Sequence, residues 1–203
     1  MEIGPGDALE RTVQEVCMNS LKKWGVIASA AGLGAVGVLG VGAAASAGDG
    51  NHKSFTITER LSGYHETPLA LSTSGSGSIR LRINPDAGTI AYTVRYANLE
   101  GTVTQSHIHF GSPSQTGGVS VFLCSNLGNG PAGTPACPTT NPGEVSGTLS
   151  AGDVIGPAAQ GITAGQFSEL LAAIRADSTY ANVHSTLYPA GEIRNQLSSH
   201  DHH

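Results

Sequence analysis

Charge is scarce in this 203-residue chain: Lys, Arg, Asp and Glu together make up 12%. The balance is acidic, with 10 Lys+Arg against 15 Asp+Glu and a formal net charge of −5. No run of lysines or arginines occurs. Nucleic acid is therefore a poor partner, because clustered cations are needed to displace counterions from phosphate, and an anionic membrane surface is a poor partner for the same reason. Aromatic residues contribute only 5%. Also missing are the Gly-x-Ser-x-Gly elbow of a serine hydrolase and a phosphate-cradling P-loop. No internal repeat or linker points to a second domain. What is plentiful is glycine, 28 residues, alongside 39% hydrophobic residues. That is enough for one core, and apolar alternation through the middle of the chain argues against disorder throughout.

The one long apolar stretch lies near the start. Lys22 and Lys23 precede an uncharged run from Gly25 to Ala45, and Ala45-Ser46-Ala47 fits a small-x-small cleavage site. Residues 18–47 are therefore expected to be a secretory signal, cleaved to leave 156 residues from Gly48. The competing reading is an uncleaved membrane anchor. Residues 1–17 carry Asp7, Glu10 and Glu15, unusual for a signal n-region, and Met18 is expected to be the true start. Residues 48–53 are expected to form a flexible lead-in, and residues 198–203, ending His200-Asp201-His202-His203, a solvated tail. The location implied is extracellular or periplasmic, with no membrane contact after cleavage.

Only three cysteines are present, and Cys17 precedes the proposed start. The remaining pair, Cys124 and Cys137, is expected to form a disulfide in an exported protein, with free thiols or soft metal ligands as the alternative.

The rest of the chain reads as strand after strand. Ile79, Leu81 and Ile83 alternate with Arg80 and Arg82; a turn over residues 84–88 leads to Ile90, Tyr92, Val94 and Tyr96, again alternating. Further strands are expected at residues 54–61, 103–110, 118–124, 143–150, 180–186 and 191–197. Phe167, Leu170, Leu171 and Ile174 instead recur at helical spacing, with Thr163 and Gln166 in capping-box positions. The expected fold is an all-β antiparallel β-sandwich with one short helix, spanning residues 54–197, with a closed barrel as the main alternative.

The candidate chemistry centres on Ser106-His107-Ile108-His109-Phe110. In a strand, His107 and His109 project from one face while Ile108 and Phe110 take the other. Asn182-Val183-His184 offers a third imidazole by the same parity. If the two strands are neighbours, three histidines converge, a donor set suited to copper or zinc rather than to the oxygen-seeking Mg²⁺ or Ca²⁺. Glu192 and Arg194 alternate about Ile193 and are candidates for orienting those ligands, or for a structural ion pair. His65 and Glu66, before a proline-bearing loop, could supply a further ligand or base, or could satisfy loop backbone.

Leu61-Ser62-Gly63 with Glu66 and Pro68, His107-Ile108-His109-Phe110-Gly111, Asn182-Val183-His184-Ser185 and Gly191-Glu192-Ile193-Arg194 together resemble the chordin-type, or CHRD, domain. The likeness covers about residues 54–197, with the motifs in family order. Ser185 stands where the family typically has Thr, and Asn195 where it usually has Gly. His65 replaces a small or amide residue, and the Cys124–Cys137 loop is a local elaboration. The resemblance implies an extracellular β-sandwich of immunoglobulin-like or Cu,Zn superoxide-dismutase-like Greek-key type, but no particular activity. Three functional classes follow. The first is a secreted metal-binding domain, with copper ahead of zinc, in storage, delivery or redox chemistry. The second is an enzyme, either dismutase-like or acting through zinc hydroxide, though no second histidine set exists for a two-metal centre. The third is a metal-free structural or interaction module with an extracellular protein partner.

Overall fold

The computed structural model describes residues 53–199. The proposed signal segment and the four tail residues from His200 onward lie outside the described residues. Eight strands follow in chain order: β1 (Phe55–Ser62), β2 (Ser76–Asn84), β3 (Thr89–Ala97), β4 (Val103–Phe110), β5 (Gly118–Ser125), β6 (Gly143–Leu149), β7 (Thr179–Ser185) and β8 (Ile193–Gln196). The single α-helix among the described residues, α1 (Phe167–Arg175), precedes β7. All pairings are antiparallel, in the order β5-β4-β7-β8-β1-β2-β3-β6. One bridge, Ser62 to Arg194, joins β1 to β8. The sheet thus has two four-stranded halves hinged at one corner, and its outer strands β5 and β6 come back into contact without pairing. Among the described residues no helix is long and apolar enough to cross a membrane.

The alternation of β2 and β3 sets the inward face. Ile79, Leu81, Ile83, Ile90, Tyr92, Val94 and Tyr96 are buried, while Arg80, Arg82, Ala91 and Arg95 are exposed. Directly opposite Tyr92 and Tyr96 on β6 stand Gly147 and Gly143. A Cβ on either would meet the tyrosine ring at 2.5–2.8 Å, so glycine there leaves room for the rings to fold over the strand. The Tyr92 hydroxyl crosses the core to donate to the Leu123 carbonyl on β5 at 2.6 Å, tying the two halves together.

Helix α1 buries Leu170, Leu171, Ala173 and Ile174, the face its spacing predicts. Full burial of each large aliphatic side chain contributes about 1.5–3 kcal/mol. The expected capping box does not cap this helix, whose N-cap is Gln166; the Gln166 side chain instead accepts from the Thr163 backbone N–H at 2.7 Å in the turn before it. Cys124 and Cys137 are bridged. Closing that 13-residue separation removes unfolded-chain entropy equivalent to about 3 kcal/mol.

Candidate metal centre

β4 and β7 are neighbours in the sheet, and their register sets His107 opposite Asn182, His109 opposite Tyr180 and Gln105 opposite His184. Alternation sends Ile108, Ala181 and Val183 into the apolar core. His107, His109, Tyr180, Asn182 and His184 consequently share the other face, which is also covered, since every residue of β7 is buried. The β4–β5 ladder shifts register twice, between Ser106 and His107 and between Ile108 and His109. Such bulges bend a strand and re-aim its side chains.

The three imidazoles converge. Each of His107, His109 and His184 offers a ring nitrogen within 4.8 Å of the others. Nitrogens about 2.0–2.1 Å from one tetrahedral ion stand roughly 3.3 Å apart, and His107 Nδ1 already lies 3.1 Å from His184 Nε2. Backbone carbonyls fix two of the rings. His109 Nδ1 donates to the Gly117 carbonyl at 2.9 Å, and His184 Nδ1 to the Pro189 carbonyl at 3.0 Å. A carbonyl only accepts, so each neutral ring carries its proton on Nδ1 and keeps a lone pair on Nε2. His109 Nε2 and His107 Nε2 are buried with no hydrogen-bond partner among the described residues. The Asn182 amide lies 3.0 Å from His184 Nε2, and the Phe122 ring packs edge-on against His107 at 4.4 Å between centroids.

Burial keeps all three rings neutral. It holds His107 down to about 2, helped by repulsion from the other two histidines, and His184 down to about 4. His109 is lowered as well, again by burial first. Neutral imidazoles are ready ligands, because no proton must leave before a metal binds.

Arg194 builds the wall behind His109. It is 1% exposed, and its guanidinium lies 3.4 Å over the Tyr180 ring, which stacks on His109 at 4.7 Å and 6°. One guanidinium nitrogen donates to the carbonyls of Ser112, Pro113 and Gln115, and another to the Thr67 hydroxyl. The β4–β5 loop is thereby pinned, and Tyr180 accepts at its hydroxyl from the Gly117 N–H at 3.2 Å. The residue that orients His109 is thus held from both sides.

The two carboxylates stand outside the histidine group. Glu192, fully buried, accepts at Oε1 from the Thr73 hydroxyl and the Glu100 N–H, both at 2.8 Å, and so ties two loops together. Glu66 follows the short turn Gly63–His65 and packs against Gly191, where a Cβ would sit 2.5 Å from Glu66 Oε1. Gly191 also has φ +135°, a second reason for glycine. His65 is exposed and makes no hydrogen bond among the described residues. Tyr180 was open to discovery from the sequence, since it shares strand parity with Asn182 and His184. The carbonyls of Gly117 and Pro189 carry no side-chain signal.

Burial raises the Glu66 carboxyl to about 7, against the opposing pull of Arg194 and the Thr67 backbone. A raised carboxyl binds its proton more tightly in the folded state. It therefore costs nothing below pH 4.5 and progressively destabilises as pH rises through 7, by on the order of 3 kcal/mol. Glu66→Gln is expected to be more stable than the parent by roughly 2–3 kcal/mol at pH 8 and level with it at pH 4.5, read by urea denaturation. An equal difference at both pH values would contradict this.

No curated protein and no solved structure matches the chain. The family model described as CHRD domain matches residues 57–197, a stretch that runs from β1 past β8 and contains all three histidines. The chain belongs to the CHRD domain family.

Proposed function

We propose that this protein is a secreted metal-binding module that holds one copper ion, with zinc the second choice, on His107, His109 and His184. The observation that carries the reading is the convergence of one ring nitrogen from each of three buried histidines within 4.8 Å, with His109 Nε2 buried and unpartnered beside a His184 ring whose other nitrogen is tied to a carbonyl. Leaving a ring nitrogen buried without a partner is costly, and a cation bound to it removes that cost. Hydrogen bonding of the remote nitrogen to a carbonyl is the arrangement that orients a histidine ligand. An all-nitrogen donor set favours Cu²⁺ in the affinity order for divalent ions. Bound there, copper would supply one-electron chemistry, and either metal could be stored or delivered. The disulfide fits an export compartment.

The test uses the full chain with His200, His202 and His203 changed to Ala, which silences capture by the tail. Cu²⁺ and Zn²⁺ are supplied in turn, loosely held metal is dialysed away, and metal per chain is measured. About one ion per chain is expected, lost in a His107→Ala/His109→Ala variant that keeps its far-ultraviolet spectrum. No metal in either protein, or equal metal in both, would overturn the reading and favour a metal-free extracellular interaction module.

A further inference from the structure

The outer face of β1, β2, β3 and β6 collects the cations of a chain that is acidic overall. Ladder register arranges this face in rows: Thr56, Arg82, Ala91 and Thr148; then Thr58, Arg80, Thr93 and Ser146; then Arg60, Ser78, Arg95 and Glu144. Four of the seven lysines and arginines among the described residues therefore lie here, against one carboxylate, Glu144. Arg95 pairs with Glu144 at 2.6 Å. Arg60, Arg80 and Arg82 are exposed and have no hydrogen bond or ion pair among the described residues. Arg80 and Arg82 are spaced two residues along one strand, about 6.7 Å, and Arg60 and Arg95 flank Ser78 two strand spacings, about 10 Å, apart. No contact among the described residues gives the guanidinium groups of Arg60, Arg80 and Arg82 an internal role.

We infer that this face is a binding surface for a carboxylate-bearing polysaccharide. Guanidinium forks match carboxylates in bidentate fashion. Thr56, Thr58, Ser76 and Ser78 share this face and place hydroxyls between and beside them. A groove of about 710 Å³ runs beside the Arg60–Ser78–Arg95 row, walled by Tyr96, Pro138 and Pro142. Single-stranded nucleic acid fits less well, because it needs exposed rings on which bases stack. A membrane fits less well because none of the large exposed hydrophobic side chains, Tyr64, Leu69, Leu127, Ile155 and Leu187, lies on this face. The site is separate from the histidine cluster, which sits on the other half of the sheet.

The probe is a defined oligogalacturonate, titrated calorimetrically into the full chain at low salt. Its fully methyl-esterified form, a single-stranded DNA oligomer and phosphatidylglycerol vesicles are run beside it. The acidic oligosaccharide is expected to bind and to weaken as salt is added, and the esterified form to fail. Arg80→Ser/Arg82→Ser should lower the affinity at least about tenfold with the melting temperature unchanged, whereas His107→Ala/His109→Ala should leave it intact. Binding retained in the double arginine variant, no binding of the acidic oligosaccharide, or equal or tighter binding of DNA or vesicles would overturn the inference.

Discussion

Between pH 6.5 and about 4, the metal-free protein is expected to lose stability steeply as acid is added. His107 and His184 are held neutral in the fold, down to about 2 and about 4, while in the unfolded chain each protonates near 6.5. The unfolded state therefore binds more protons in this window, and stability rises with pH, falling as pH drops. Each such proton is worth about 1.4 kcal/mol per pH unit, so the pair gives about 3 kcal/mol per unit. His109 adds to the slope with the same sign. Glu66 opposes it between 4.5 and 7 by up to about one proton. Denaturant titrations at pH 6.5, 5.5 and 4.5 read the slope directly, and His184→Gln should flatten it by about 1 kcal/mol per unit. Stability that is level across this range would show that the cluster is not held neutral by burial.

Replacing Arg194 with Met should destabilise the fold by about 3–5 kcal/mol. The loss comes from groups left behind more than from the charge removed. Three carbonyls of the β4–β5 loop and the Thr67 hydroxyl lose their donor, and the buried Glu66 loses its nearest compensating charge. Arg194→Lys keeps the charge but not the planar fork over Tyr180, and it should fall between the two. Because the pinned loop presents the Gly117 carbonyl to His109, metal affinity should also drop by about 10–100-fold in the Met variant. A stability change under 1 kcal/mol, measured in urea, would mean that the loop finds other donors.

Strand parity made much of this legible. Alternation at residues 79–83 and 90–96 located β2 and β3, and the spacing of His107 and His109 and of Asn182 and His184 assigned each to one side of a strand. What parity cannot give is strand order. β4 and β7 meet across 77 residues of sequence, as His107 and His184 show, so the convergence depended on a non-local pairing that no local pattern encodes. The role of Arg194 was hidden for a related reason, because its partners are loop carbonyls. Glu192 engages Thr73 and the Glu100 backbone, two loops remote in sequence from it. The basic face was missed by averaging: Arg60, Arg80, Arg82 and Arg95 never form a run, and only the register of three strands sets them side by side.

Whether three imidazoles share one ion is read from the electron paramagnetic resonance spectrum of the copper-loaded, tail-silenced protein. A single Cu²⁺ species is expected, with nitrogen splitting from three donors that falls to two in His184→Ala. A spectrum dominated by oxygen donors, or one unchanged by His184→Ala, would contradict it.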